Sequence, residues 1–373
     1  MLNQAAQQAW IRRLEAEREN LSVAIAWLLA ADDPEAGQDG ATLVWLLHRF
    51  WYVCGHLDEG LRWITAVLDQ GQSLPEALRA DLLYAAGLLA VEQRSRGRAE
   101  SWREESRRHF QALGRRAEAA AALSVLGNVR QQQGDLADAE VLHAESVTIF
   151  RELGDRQGLA DALDRLAQSL YLRDDLAGAI GLQEQVLALR REHGDRWLTG
   201  SALNNLGTAL HELGDPQRAL SLIEETVELF SQIGNARAIA RVQLNLGSIH
   251  TSLGNTAAGA ACYTASLRQS WELRDTFALV WALRGIATLA GPTSPEAAAR
   301  IFGKAEALTS QEAPQLPLFD QQRLAAALDD TRSRLGDGAY EAAWEAGAAA
   351  DPGLIVAQAS ALAATLGPHA PTP

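Results

Sequence analysis

The sequence predicts an all-α protein built as a solenoid of helical hairpins, and three observations carry that prediction. Leu126-Gly127, Leu166-Ala167, Leu206-Gly207 and Leu246-Gly247 recur at forty-residue spacing without slippage. Each pair is followed by a turn, at Gly134-Asp135, Asp174-Asp175, Gly214-Asp215 and Gly254-Asn255, and twelve residues beyond the small position stands another small residue, Ala139, Ala179, Ala219 or Gly259. A second turn closes each unit, at Gly154-Asp155, Gly194-Asp195, Gly234-Asn235 and Arg274-Asp275. Glycine supplies a left-handed helix C-cap and Asp or Asn the next N-cap, so this punctuation predicts two helices per unit. One such pair carries no information, but four in phase, three Leu-Gly and one Leu-Ala, between Ala117 and Arg274 define a tandem array.

The arrangement resembles the tetratricopeptide repeat, whose signature is Leu-Gly in the first helix, a turn, and Ala early in the second. The usual period is about thirty-four residues; the six extra lengthen the helices by roughly a turn and a half. Small residues at positions 127, 167, 207 and 247 predict close helix approach inside each hairpin, with the Ala of the second helix packed nearby. Enlarging such a site should overpack it, at about 1–3 kcal/mol. The resemblance implies a right-handed superhelical solenoid whose first helices line a concave groove.

At the N-terminus the spacing of Leu14, Leu21, Ile25 and Leu28 predicts one helix from Trp10 to Ala30, ended by Pro34 and Gly37. A hairpin over residues 43–69 follows, turning at Gly55-His56 and holding Trp45, Phe50, Trp51, Tyr52 and Trp63. Consecutive Phe50, Trp51 and Tyr52 cannot all face one way on a helix, so at least one ring is expected to point outward. Extending the phase backwards lands on Gly87 and Leu47, which places degenerate end repeats here. A helical cap is expected from about Pro295 onward, ending in a Pro-rich tail. The resulting division is 1–72 for the N-terminal helix and first hairpin, 73–291 for the array, and 292–373 for the cap.

Two end segments carry a sharper resemblance. RLEAERENLSVAIAWLL, from Arg13, followed by HRFWYVCGHLDEGLRWI, from His48, is similar to the segment that joins the nucleotide-binding core to the repeats in bacterial signal-transduction ATPases of the LuxR/AfsR-like regulator type. AARIFGKAEALTSQ (298–311) and LGDGAYEAAWEAGAAA (335–350) are similar to the closing segment of that family's repeat region. The family's ATPase core needs a Gly-x-x-x-x-Gly-Lys-[Ser/Thr] loop, whose amides cradle phosphates while the hydroxyl holds magnesium. Lys304, the only lysine, follows Gly303 but precedes Ala305, and position 298 is Ala. The resemblance therefore implies a fragment, or a stand-alone relative, without the ATPase and helix-turn-helix domains.

Composition narrows the function. A chain of 373 residues, 47% apolar, can bury a large core, which a solenoid spreads along one axis. The net charge of −14 argues against direct nucleic-acid binding, which rests on neutralising phosphates. Cys54 and Cys262 lie in different repeats and suggest neither a disulfide framework nor a zinc site. With no apolar run of membrane length and no signal-peptide core, a cytoplasmic protein without membrane contact is expected. No catalytic, metal or cofactor residues are predicted: His211-Glu212 lacks the second histidine of H-E-x-x-H, no G-x-S-x-G occurs, and the histidines are scattered singly. From Glu92 to Glu118 eight arginines face five glutamates, and spacings such as Glu104 to Arg108 suit a solvated helix face rather than a nucleic-acid patch.

The repeat resemblance also implies an inventory of contacts. In its frame Asn128, Asp161, Asp164, Gln168, Tyr171, Asn204, Thr208, His211, Arg241, Trp281 and Arg284 point into the groove, with Ser124, Gln131, Ser201, Ser248 and Thr288 beside them. Acidic groups stand early and basic ones late, which suits an extended peptide, a protein segment or a small polar effector. Packing is expected not to depend on Arg241 and Arg284. The function read from the sequence is a non-catalytic scaffold or sensor, the regulatory arm of a bacterial transcription regulator; the alternative is a fragment or partner of an ATP-dependent regulator whose ATPase domain lies on another polypeptide.

Overall fold

The computed structural model describes residues 4–69, 74–92, 96–309 and 318–366, and these form nineteen α-helices and no strand. They divide into two compact units, residues 1–169 and 170–373. The first holds α1 (Gln4–Ala16), α2 (Arg18–Ala30), α3 (Pro34–Cys54), α4 (Leu57–Asp69), α5 (Glu76–Glu92), α6 (Arg96–Ala112), α7 (Arg116–Gln133) and α8 (Leu136–Leu153), and ends within α9 (Arg156–Leu172). The second holds α10 (Leu176–His193), α11 (Arg196–Glu212), α12 (Pro216–Ile233), α13 (Ala236–Ser252), α14 (Thr256–Glu272), α15 (Thr276–Ala290), α16 (Pro295–Leu308), α17 (Leu318–Leu335), α18 (Asp337–Ala349) and α19 (Pro352–Thr365). No helix among the described residues is long and apolar enough to cross a membrane.

The turns are those the punctuation predicts. Gly134 (φ 89°) and Gly214 (φ 93°) take the left-handed conformation that closes a helix, and Asp174 (φ 65°) and Arg274 (φ 52°) take it without glycine. The residue after Asp174, Gly214 and Arg274 does two jobs. The Asp175 amide donates back to Leu170 O at 2.9 Å, while its carboxylate accepts from the Gly178 amide at 2.9 Å. Asp275 repeats this with Ser270 O at 2.9 Å behind and the Ala278 amide at 3.2 Å ahead. Asp135 and Asn255 depart from expectation: neither side chain caps its helix.

Inside the hairpins the small residues sit under a large one sixteen positions on. A Cβ at Gly127 would lie 2.4 Å from the His143 ring, one at Gly207 2.8 Å from Ile223, and one at Gly247 2.8 Å from Tyr263. The hairpin of α5 and α6 obeys the same rule, with Gly87 2.4 Å from Arg103. Arg103 is fully buried and donates to Gly87 O at 2.7 Å. A second device, unseen in the sequence, is a buried hydroxyl that ties the two helices together. Ser106 donates to Ala80 O at 2.9 Å, Ser146 to Ala120 O at 2.8 Å, and Thr226 to Gly200 O at 3.5 Å.

Each unit has its own apolar core. Ile25, Val44, Phe50, Trp51, Ile64 and Leu89 form that of the first unit, and Leu267, Leu283, Ile286, Phe302 and Ile355 that of the second. Phe50 and Trp51 point inward, whereas Tyr52 is 40% exposed, so one ring of the three does face solvent. Two N-terminal expectations are corrected. The helix expected from Trp10 to Ala30 is broken at Glu17, whose backbone (φ −97°, ψ 4°) leaves the helical region between α1 and α2. Pro34 opens α3 rather than ending α2, because its fixed φ suits the first helical position and Asp33 caps the helix by accepting from the Glu35 amide at 3.1 Å. Gly37 lies buried inside α3.

The C-terminal cap closes by a different contact. α16 packs on α18 through reciprocal glycines: a Cβ at Gly303 would fall 2.2 Å from Trp344 O, and one at Gly347 1.9 Å from Arg300 O. Lys304, the only lysine, is buried there and donates its ammonium to Ala348 O at 2.5 Å, satisfying a carbonyl at the end of α18. α19 lays Ile355, Ala359 and Ala363 into the core of the second unit.

The backbone contact at Gly347 leaves nowhere for a methyl group, so Gly347→Ala should destabilise the chain by about 1–3 kcal/mol or more. Gly181, exposed within α10 with nothing within 4 Å of a Cβ, is its control. Gly181→Ala should stabilise by about 0.5–1 kcal/mol through helix propensity. Urea denaturation of both variants checks the pair; a neutral Gly347→Ala would mean that the crossing is looser than described.

Burial pushes the His143 imidazole down to about 4 from 6.5. In its neutral form Nε2 donates to Ser124 O at 3.0 Å and Nδ1 accepts from the Ser169 hydroxyl at 2.9 Å. Between these two values the unfolded chain binds the proton and the folded chain does not. The contribution is therefore complete above about pH 6.5 and is lost as pH falls toward 4, to the extent of about 3 kcal/mol. Glutamine fills the corresponding position at Gln183. His143→Gln should accordingly shrink the loss of stability between pH 7 and 4.5 by about 2 kcal/mol, measured by urea denaturation at each pH; an unchanged slope would place the proton elsewhere.

Candidate interaction face

In the second unit the first helices of three hairpins, α11, α13 and α15, present one polar face. On α13 the residues are Arg237, Arg241, Asn245, Ser248 and Ser252, spaced three or four apart and hence along one side of the helix. Asn245 lies at the centre. Its amide donates to Asn204 Oδ1 at 2.8 Å and reaches the Thr208 hydroxyl at 3.4 Å, joining α13 to α11. One turn further, His211 Nε2 meets the Ser252 hydroxyl at 2.8 Å. His211 is 8% exposed, and burial, with a smaller contribution from the Arg323 charge, pushes its imidazole down to about 4. It is neutral at pH 7. Tyr171 donates its hydroxyl to the Glu212 carboxylate.

At the other end of the face the chemistry is cationic and aromatic. Arg241 donates to both Asp275 carboxylate oxygens, at 3.1 and 3.4 Å, and its guanidinium lies 5.4 Å from the centre of the Phe277 ring. Phe277 in turn neighbours Trp281, ring centres 6.1 Å apart. Arg237 approaches the same carboxylate at 3.8 Å and keeps 60% of its side chain exposed. Asp275 is buried and already holds the Ala278 amide, so it anchors the helix cap and the guanidinium pair together. Two arginines against one carboxylate leave the spot with a positive excess.

The expectation that packing is independent of Arg241 and Arg284 is corrected by these contacts. Arg241 is tied to a buried helix cap. Arg284 keeps only 13% of its side chain exposed and donates to Glu306 at 3.1 Å and Thr309 at 3.2 Å. Trp281 and Thr288 are half-buried on α15. In the first unit Asn128 and Asp164 are half-buried, Asp161 and Gln168 are exposed, and Gln131 Oε1 lies 3.3 Å from the Ser169 hydroxyl. Ser124 belongs to the hairpin interior instead, 7% exposed and donating to the Ser146 hydroxyl at 2.8 Å.

Sequence reasoning missed Arg237, Asn245, Ser252, Phe277 and Arg323. The repeat phase held a signal for some of them: Trp197, Arg237 and Phe277 occupy one position in successive repeats, an arginine between two rings. Arg323 carried no such signal, since it lies beyond the array. The Arg-rich stretch is a solvated, ion-paired helix face in part, with Arg79–Glu105 at 3.1 Å, Arg107–Glu104 at 2.5 Å and Arg130–Glu100 at 2.5 Å, but its Arg103 is buried inside the hairpin. In α6 the glutamate pairs with Arg107, where Arg108 was expected. No group of three metal-ligating side chains occurs among the described residues.

Residues 118–192 and 158–232 match the family model for the tetratricopeptide repeat. No curated protein matches the chain in sequence. Among solved structures, a Rap protein complexed with competence and sporulation factor is 14% identical with a TM-score of 0.58, covering 95% of this chain and 99% of that one. The apo form of the quorum sensor NprR from B. thuringiensis is 13% identical with a TM-score of 0.59, covering 95% and 93%. The signal-transduction ATPase with numerous domains PH0952 from Pyrococcus horikoshii, which has a tetratricopeptide repeat sensor, is 14% identical with a TM-score of 0.61; the match covers 94% of this chain and 55% of that one. The chain carries tetratricopeptide repeats over the matched residues and shares the all-α, repeat-solenoid fold of these proteins.

Proposed function

We propose that the chain is a non-catalytic scaffold or sensor that binds a protein or peptide segment on the first-helix face of its second unit, where Arg237 and Arg241 beside Phe277 and Trp281 receive an acidic, partly apolar stretch. The observation that carries this reading is the exposure of Arg237 next to a carboxylate that Arg241 already satisfies. The Arg237 side chain is 60% exposed, alongside the exposed Phe277 ring. Guanidinium groups held in place by a second carboxylate lose little freedom on binding, which favours recognition of a further anionic group. The fold shared with a Rap protein in complex with a signalling factor and with a quorum sensor supports a peptide or protein as partner.

The regulatory role belongs to the same proposal: a sensor arm of a bacterial transcription regulator, divided as 1–72, 73–291 and 292–373. A second reading, in which the ATPase domain of a related regulator is the partner, is favoured by the likeness to PH0952, since the chain corresponds to 55% of that ATPase.

The two arginines separate binding from stability. Arg237→Ala should alter the unfolding free energy by less than about 0.5 kcal/mol. Arg241→Ala should cost about 1–2 kcal/mol, between the values for an exposed and a buried pair, because it strips a partner from Asp275. In fluorescence polarisation with labelled peptides matched in length, the wild type should retain acidic sequences over basic ones, and Arg237→Glu should weaken that retention at least about tenfold. Equal retention by wild type and Arg237→Glu, or indifference to peptide charge, would overturn the assignment of this face.

A further inference from the structure

One end of the polar face of the second unit, at Ser248, is touched by another helix of the same chain. α17 stands outside the hairpin order, because α16 pairs with α18 across Gly303 and Gly347 and leaves the helix between them in sequence without a partner of that kind. It lies instead against α16, α18 and α15, and Arg332 joins it to Asp337 and Glu341 at the start of α18. Thr331 covers Gly291, where a Cβ would fall 2.9 Å from its hydroxyl, and Leu324, Ala327 and Leu328 rest half-buried on the apolar core of the second unit. Arg323, beside Leu324, extends to α13 and donates to the Ser248 hydroxyl at 2.5 Å. Its charge is also felt at His211 on α11.

The hold is thin. Of residues 321–335 only Thr331 is fully buried, and Gln321, Gln322, Asp329, Asp330, Arg332, Ser333 and Arg334 are exposed. Elements with few buried contacts open at low free energy and are the ones that exchange places with ligands. α17 also covers only part of the face: it reaches Ser248, while Arg237 and Arg241 remain 60% and 51% exposed.

We propose that the Ser248 end of this face, with the apolar shelf beside it on α15 and α16, is a receptor for an amphipathic helix that carries an arginine immediately before two leucines four residues apart, and that α17 fills it in cis until a partner helix of this kind displaces it. The proposal rests on the binding reading given above and adds its regulation. The open arginines take the partner's acidic segment first, and its helix then competes for Ser248 and the apolar shelf. The partner's arginine and leucines replace the Arg323–Ser248 bond and the apolar contacts of Leu324 and Leu328.

A labelled peptide of the sequence 318–335, added in trans to the full chain, tests this without knowledge of the natural partner. In the wild type the tethered α17 competes at an effective concentration on the order of 1 mM, so a peptide of about 10 μM intrinsic affinity should appear about 100-fold weaker. The variant Leu324→Asp/Leu328→Asp, checked by circular dichroism for intact helix content, should lift that penalty and take up the peptide. Hydrogen exchange on the wild type gives a second measurement: α17 amides should exchange faster than those of α15, α16 and α18. A folded variant that refuses the peptide, or α17 protection equal to that of α16, would make α17 a fixed part of the cap and end the proposal. Acidic-peptide retention at Arg237 is scored on the same samples; its persistence while the 318–335 peptide is refused would sink displacement alone, whereas loss of both would sink the binding reading with it.

Discussion

At Gly127, Gly207 and Gly247 the two helices of a hairpin approach until an added Cβ would sit within 2.8 Å of the side chain sixteen residues on. That proximity sets much else. It fixes which residue of the second helix faces the first, and therefore where the buried hydroxyls of Ser146 and Thr226 meet a backbone carbonyl. The covering residue itself varies, from Arg103 and His143 in the first unit to Ile223 and Tyr263 in the second. What the contact demands is volume over a missing side chain. A polar group is admitted where the hairpin backbone offers it a partner, as Gly87 O does for Arg103 and Ser124 O for His143. His143 pays for that place with its charge, since burial keeps the ring neutral.

This constraint explains which parts of the fold were legible in the sequence. Turns and small residues recur every forty residues because one geometry recurs, so the hairpins could be placed to within a residue or two from Ala117 to Arg274. Outside that range the same residue types are ambiguous. Pro34 reads equally well as a helix stop and as a helix start, and the choice for α3 fell to the Asp33 cap. Gly303 and Gly347 mark a close approach as plainly as Gly127 does, but they are forty-four residues apart and their partners are backbone atoms. Nothing in a repeat period points to them.

The interaction face was legible to a lesser degree, for a different reason. Periodicity tells which side of a helix a residue occupies, and it put Asn204, Thr208, His211, Arg241 and Trp281 on the first helices where they stand. It does not tell how polar groups on neighbouring helices are spent. Asn204 and Thr208 are engaged by Asn245, His211 by Ser252, and Arg284 by Glu306 and Thr309. Such cross-repeat bonds favour rigidity over recognition, because a partner must match a hydrogen bond before it can replace it. The residues left with donors to offer are those whose carboxylate is shared, and that is a property of the Arg237, Arg241 and Asp275 triangle as a whole.

The chain's charge of −14 bears on how such a face could act. Across distances beyond about 8 Å at physiological ionic strength the field of individual side chains is screened, so the local excess at Arg237 and Arg241 is felt only near contact. An acidic segment approaching an acidic protein gains nothing from long-range steering. Its capture must come from short-range pairing with guanidinium groups and from rings that exclude water around them. That places the energetic weight on geometry already built into α13 and α15, where a buried aspartate fixes both the helix start and the direction of the arginines. In the binding reading proposed above, such a face selects partners by fit at the moment of touching, and α17, whose Arg323 holds Ser248 at its far end, makes that selection stricter.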